Sequence, residues 1–169
     1  PVSPCASPVA ARERVRLDRA WSPPCRPGPT RIDVDEALAQ TVHFWSDWAS
    51  RCCQEGAYAA AVQRSLLVLR ALTHEDTGGI VAAPTTSLPE EFGGSRNWDY
   101  RYCWLRDAAL TLEAMLAHGQ AQGALHLRNW LLRAVAGDPE ALQIMSGLAG
   151  GRDIAERQMG ELPGRAHSR

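Results

Sequence analysis

Helical periodicity runs through this chain in blocks and is broken off, at length, in the middle. Over residues 73–99 it stops, and Gly78-Gly79, Pro84, Pro89 and Gly93-Gly94 punctuate the stretch. Proline removes a backbone donor and glycine loosens the chain, so neither supports a continuous helix. Structureless connections longer than about 12–15 residues are uncommon inside a compact domain and are usually functional. A fold for this chain must hold helices on both sides of a long loop, and that loop is where function is to be sought.

The flanking blocks are amphipathic. Asp33 stands where an N-cap would, and Glu36 three residues on completes a capping box. Leu38, Val42, Trp45, Trp48 and Cys52 then recur at helical spacing, which predicts a helix over 34–53 ended by Gly56. Trp45 and Trp48 are expected in a core rather than as a sugar-stacking pair. A second helix is predicted over 57–72, where Leu66, Leu69 and Leu72 carry a broad apolar face. The Gln54-Glu55-Gly56 turn would make the two an antiparallel hairpin. Beyond the loop, helices are predicted over 107–118, closed by Gly119 as C-cap, over 121–136, and, shorter, over 139–146. These apolar faces are too many to be covered by four or five helices of such length.

Residues 1–32 are Pro-rich and read as a linker or the end of a preceding β domain, with Val15-Arg16-Leu17-Asp18 alternating like a strand. Residues 33–164 read as the helical domain and 165–169 as a tail. Pro1 rather than Met opens the sequence, so any leader would lie outside it. With 18 Lys+Arg against 19 Asp+Glu the net charge is -1, unlike a dedicated nucleic-acid binder. No apolar run reaches membrane-spanning length, so neither nucleic acid nor membrane is expected as a partner. Cys5, Cys25, Cys52, Cys53 and Cys103 form no C-x-x-C pair, which argues against zinc or a disulfide framework and mildly for a reducing, cytoplasmic location. No metal and no cofactor is expected.

The densest chemistry lies in Arg96–Asp107, which holds three arginines, two aspartates and four aromatics and runs straight into a helix start. Sugars suit this mixture. Arginine offers several donors in a fixed fork and ionised aspartate offers only acceptors, so an adjacent Arg106-Asp107 pair can hold a vicinal diol. Aromatic rings pack against the C–H face of the sugar. Residue type alone leaves a second reading equally open, in which Asp107 caps the helix and Arg106 makes a surface ion pair.

The run Gly93-Gly94-Ser95-Arg96-Asn97-Trp98-Asp99-Tyr100-Arg101-Tyr102-Cys103-Trp104-Leu105-Arg106-Asp107-Ala108 resembles the signature of glycoside hydrolase family 15. That family includes glucoamylases, glucodextranases and some bacterial trehalases. Gly78 to Glu90, Trp130-Leu131-Leu132-Arg133 and Leu142-Gln143-Ile144-Met145 are similar to neighbouring family segments, and the resemblance covers about 33–164. It implies an all-α fold, part of an (α/α)6 toroid, here about two helical hairpins plus the motif-bearing loop. It also implies inverting hydrolysis of a terminal α-linked glucose. Carried over, Arg106 and Asp107 would bind the hydroxyls of that glucose or oligosaccharide end. Trp104 would pack beside it, and Tyr102 and Tyr100 would line the pocket.

The family's general acid and base are glutamates in later hairpins, beyond residue 169. An inverting site needs both carboxyl groups, about 6.5–9.5 Å apart. No residue of this chain is therefore assigned as catalytic, and inactivity of the chain alone is expected. Glu90 and Glu91, adjacent in a loop, read as structural or outer-pocket residues. A twelve-helix toroid at about 11–12 residues per helix plus loops exceeds this chain. The sequence after Gly164 reads as unlike the family, as in an altered gene product. The rival reading is a non-catalytic all-α carbohydrate-binding or interaction module.

Overall fold

A computed structural model of the chain describes residues 10–168 apart from positions 21, 23, 26, 29, 53, 54, 138, 139, 141, 158 and 163. Cys5 and Cys53 and five of the N-terminal prolines (Pro1, Pro4, Pro8, Pro23 and Pro29) lie outside the described residues. The order is α1 (Val34–Ser50), α2 (Ala59–Leu72), β1 (Cys103–Trp104), α3 (Leu105–Ala117), α4 (Ala121–Ala134), β2 (Met145–Ser146) and a short 3-10 turn (Arg165–His167). The class is all-α, as the periodicity requires. The chain divides into two compact units, Pro1–Ser50 and Arg51–Arg169. Because α1 closes the first and α2 opens the second, the predicted hairpin falls across that division.

In the first unit Asp33 caps α1: its Oδ1 accepts from the backbone N–H of Asp35 at 3.0 Å and of Glu36 at 3.1 Å. Glu36 does not close the box but accepts from Gln40 Nε2 at 3.0 Å. α1 stops at Ser50, before the predicted 53, and Cys52 is buried outside any helix. Trp48 is buried, whereas Trp45 is half-buried and meets Phe44 edge-on, with ring centroids 5.1 Å apart. The expected strand at Val15–Asp18 does not form; Leu17 is 87% exposed, and an isolated alternation without a partner strand has nothing to satisfy its backbone.

In the second unit the core is Ile80, Cys103, Ala108, Leu127, Trp130 and Ala134, with Leu69, Leu72, Leu112 and Leu131 packed against it. The long loop thus contributes Ile80 and the motif contributes Cys103, so the core pins both. α3 and α4 form a hairpin whose turn is a Schellman cap. Gly119, at φ 75°, donates to Leu116 O at 3.2 Å, and Gln120 donates to Met115 O at 2.8 Å.

The predicted fifth helix does not form over 142–146; positions 139 and 141 of that prediction lie outside the described residues. Met145 and Ser146 instead pair antiparallel with Trp104 and Cys103. Apolar spacing over so few residues fits a helix or an extended strand equally, and here β1 supplies the backbone partners. The same pairing moves the start of α3. Leu105 N–H donates to Ile144 O at 3.0 Å, so the helix begins at Leu105 with its first amide satisfied by the residue just before β2. Trp130 Nε1 donates to Leu148 O at 2.7 Å, and Arg152 Nη2 donates to Ala134 O and Ala136 O, both at 2.6 Å. The segment after β2 is thereby tied to the C-terminal end of α4.

Candidate functional site

The loop over 73–99 has no helix, yet its backbone is held on both edges. Thr73 and Ile80 form an isolated antiparallel bridge, and Val81 N–H donates to Leu72 O at 3.1 Å. On the other edge Ala82 N–H donates to Tyr102 O (3.0 Å), Ala83 N–H to Tyr100 O (3.1 Å) and Tyr100 N–H to Thr85 O (3.2 Å). Residues 80–85 therefore lie between the end of α2 and the motif. Gly78 and Gly79 permit the approach to α4, because a Cβ on Gly79 would stand 2.7 Å from Trp130 Nε1.

The short strand β1 alternates its side chains. Cys103 points into the core and is fully buried, while Tyr102 and Trp104 on either side are half-buried. Burial pushes the Cys103 thiol up to about 11, which keeps it protonated and unreactive. Tyr100 and Trp104 pack as a tilted pair, with ring centroids 5.8 Å apart and planes inclined by 30°. Arg106 Nη2 lies 3.2 Å from Asp107 Oδ2; the Arg106 side chain is 79% exposed and the Asp107 side chain 36%. Asp107 sits in the first turn of α3 and does not cap it, since the helix starts two residues earlier. Arg106 and Asp107 are brought together at that helix start as an exposed ion pair, the contact the second reading expected but without its helix cap, and Tyr100 and Trp104 pack as an aromatic pair just before it.

Asp99 is engaged elsewhere. Arg101 donates to it through Nε (3.1 Å), Nη2 (2.9 Å) and its backbone N–H (3.0 Å). The Arg101 side-chain hydrogen bonds hold the Asp99 carboxyl below its ordinary range. Glu90, read from sequence as structural or outer-pocket, accepts a hydrogen bond from the Tyr100 hydroxyl, and that bond raises the phenol above its ordinary value. The contact links residues ten apart and is made by the turn at Gly93-Gly94; the paired glycines were its only sequence signal. A groove of about 320 Å³ in the first unit, lined by residues such as Leu17, Ile32 and Leu38, includes none of the motif residues. Among the described residues no group of His, Cys, Asp and Glu is placed to hold a metal ion. Nor is any described helix long and apolar enough to cross a membrane.

Comparison with known proteins defines first a class, the hydrolases of glycosidic bonds. The family described as glycosyl hydrolases family 15 matches residues 56–169, and the chain belongs to it. A protein named trehalase from Thermoplasma acidophilum is 39% identical over 131 residues, covering 78% of this chain and 22% of that protein. A trehalase from Mycolicibacterium smegmatis is 34% identical over 172 residues, covering 94% of this chain and 25% of its own length. Trehalase 2 of Sulfolobus acidocaldarius is 41% identical over 81 residues, covering 48% of this chain and 14% of that protein. The chain spans about a fifth to a quarter of the length of the first two relatives. The family match runs through residue 169, which corrects the expectation that likeness ends at Gly164. The all-α architecture is that of part of the family's helical toroid. No solved structure matches the chain.

Proposed function

We propose that this chain carries the glucose-anchoring part of an α-glucoside hydrolase, with trehalose as the favoured parent substrate. The observation that carries the reading is the Arg106–Asp107 pair at 3.2 Å, which follows in sequence the packed Tyr100 and Trp104 rings. Arg106 offers N–H donors and Asp107 a free carboxylate oxygen, which suits two neighbouring hydroxyls of one sugar. Trp104 and Tyr100 offer apolar ring surface for its C–H side, and Tyr102, also half-buried, is proposed as a further lining residue. The trehalase names of the relatives favour trehalose over other α-glucosides.

The chain is proposed to bind without cleaving. Inverting hydrolysis requires a proton for the leaving oxygen and a base-activated water on the opposite face. Glu90 is committed to Tyr100, and Glu91 is its direct neighbour in the same turn, so the two do not make an opposed pair. Binding the ring without those groups stabilises nothing specific to the transition state. The test incubates purified chain with trehalose, maltose and soluble dextrin and measures glucose release beside equilibrium binding of glucose. Binding of glucose-terminated sugars without release supports the reading. Turnover abolished by Glu90→Gln or Glu91→Gln would make this loop the acid–base site, and turnover surviving both would place the carboxylates elsewhere; either contradicts it.

A further inference from the structure

Glu90 stands six residues before the motif in sequence and inside its hydrogen-bond network in space. Its backbone N–H donates to Arg96 O at 3.1 Å, and its Oε2 lies 3.9 Å from Arg96 Nη1. The turn between them depends on glycine. Gly93 adopts φ 79°, Gly94 N–H donates to Glu91 O at 3.1 Å, and a Cβ on Gly94 would stand 3.2 Å from that oxygen. Ser168 Oγ accepts from Gly93 N–H at 3.0 Å and further fixes the turn. The remaining acceptor capacity of Glu90 meets the Tyr100 hydroxyl.

Tyr100 is consequently held at three points. Its N–H is bonded to Thr85 O, its carbonyl accepts from Ala83 N–H, and its hydroxyl donates to Glu90. With its ring fixed, its packing on Trp104 is fixed as well. We propose that Glu90 is a positioning residue, whose carboxylate locks Tyr100 and through it the Tyr100–Trp104 surface against which a glucose ring packs. The role rests on the glucose-anchoring reading above. Glu90 acts through Tyr100 and needs no contact with the sugar. Its effect is to order the aromatic surface in advance, since a side chain that must be ordered on binding weakens affinity by about threefold to tenfold.

The experiment uses the whole chain, Glu90→Ala, Glu90→Gln, Tyr100→Phe and the Glu90→Ala/Tyr100→Phe double variant. Each is titrated with glucose by calorimetry, and its phenols are titrated by near-ultraviolet absorbance. Far-ultraviolet circular dichroism checks helix content; Glu90 lies on an exposed turn, so the helices should persist. The wild type should show a late-ionising phenol that is absent from Tyr100→Phe and returns toward the ordinary range in Glu90→Ala. The glucose dissociation constant should rise about fivefold in Glu90→Ala and less in Glu90→Gln, whose amide oxygen still accepts from the phenol. In the Tyr100→Phe background Glu90→Ala should add nothing. An equal loss in both backgrounds, or unchanged affinity in Glu90→Ala, overturns the positioning role. Wild-type chain that keeps the late phenol but binds no glucose contradicts the anchoring reading itself. Glucose binding without a late phenol overturns the Glu90 role alone.

Discussion

At the scale of single residues, the long loop is shaped by what two glycines lack. A Cβ on Gly78 would lie 2.6 Å from the His126 carbonyl oxygen, and Gly78 already adopts φ 78°. A Cβ on Gly79 would strike the indole that donates to Leu148. Gly79→Ala should therefore displace Trp130 and destabilise the second unit by about 2–4 kcal/mol, from overpacking plus a lost hydrogen bond. Urea unfolding measures it; an unchanged midpoint would contradict the packing described. Cys103 gives a pH prediction. Its folded value is about 11 against an ordinary 9.0, raised by burial, so the folded state holds the proton more tightly. That contribution is complete below pH 9.0 and is lost as pH rises towards about 11. Stability should fall across this window by about 2 kcal/mol more than in Cys103→Ala, once the cost of the smaller side chain is taken as a constant offset. The glycines were legible in the sequence as punctuation. That they face an indole and a carbonyl was not, because these contacts join positions about fifty residues apart.

At the scale of elements, the ends of helices were more legible where side chains or glycine make them. Asp33 caps α1 as its position before an apolar-periodic run requires, and Gly119 closes α3 in a left-handed conformation. Gly119→Ala meets no atom within 4 Å, so its cost is conformational alone, about 1–2 kcal/mol. Thermal unfolding should register that loss, and an equal or higher midpoint would contradict the cap. Ends made by tertiary partners were not legible. α3 starts at Leu105 rather than Asp107 because Ile144 supplies a carbonyl, and the apolar run ending at Met145 and Ser146 becomes a strand because β1 lies beside it. Short apolar runs do not carry the information that decides between helix and strand. The Arg106–Asp107 pair was legible because adjacent residues stay adjacent; the Glu90–Tyr100 bond was not, because a turn has to form first.

At the scale of the whole molecule, α3 and α4 keep apolar side chains exposed, as the number of apolar faces predicted. Leu110 and Leu116 on α3 are about as exposed as Leu125 and Leu132 on α4, at 60%, 58%, 55% and 53%. Exposed apolar surface of this kind favours association. The isolated chain should bind an apolar dye and sediment with a concentration-dependent mass, and Leu125→Gln/Leu132→Gln should reduce both; a monomer indifferent to the dye would contradict this. The central claim is that the motif holds a glucose end through Arg106 and Asp107, and calorimetric titration of the purified chain with glucose tests it most directly. The account predicts saturable binding that weakens by about tenfold or more in Arg106→Ala and in Asp107→Asn, each of which removes a charge-assisted hydrogen bond. Binding that is equally strong in both variants, or absent from a wild-type chain with intact helices, would contradict it.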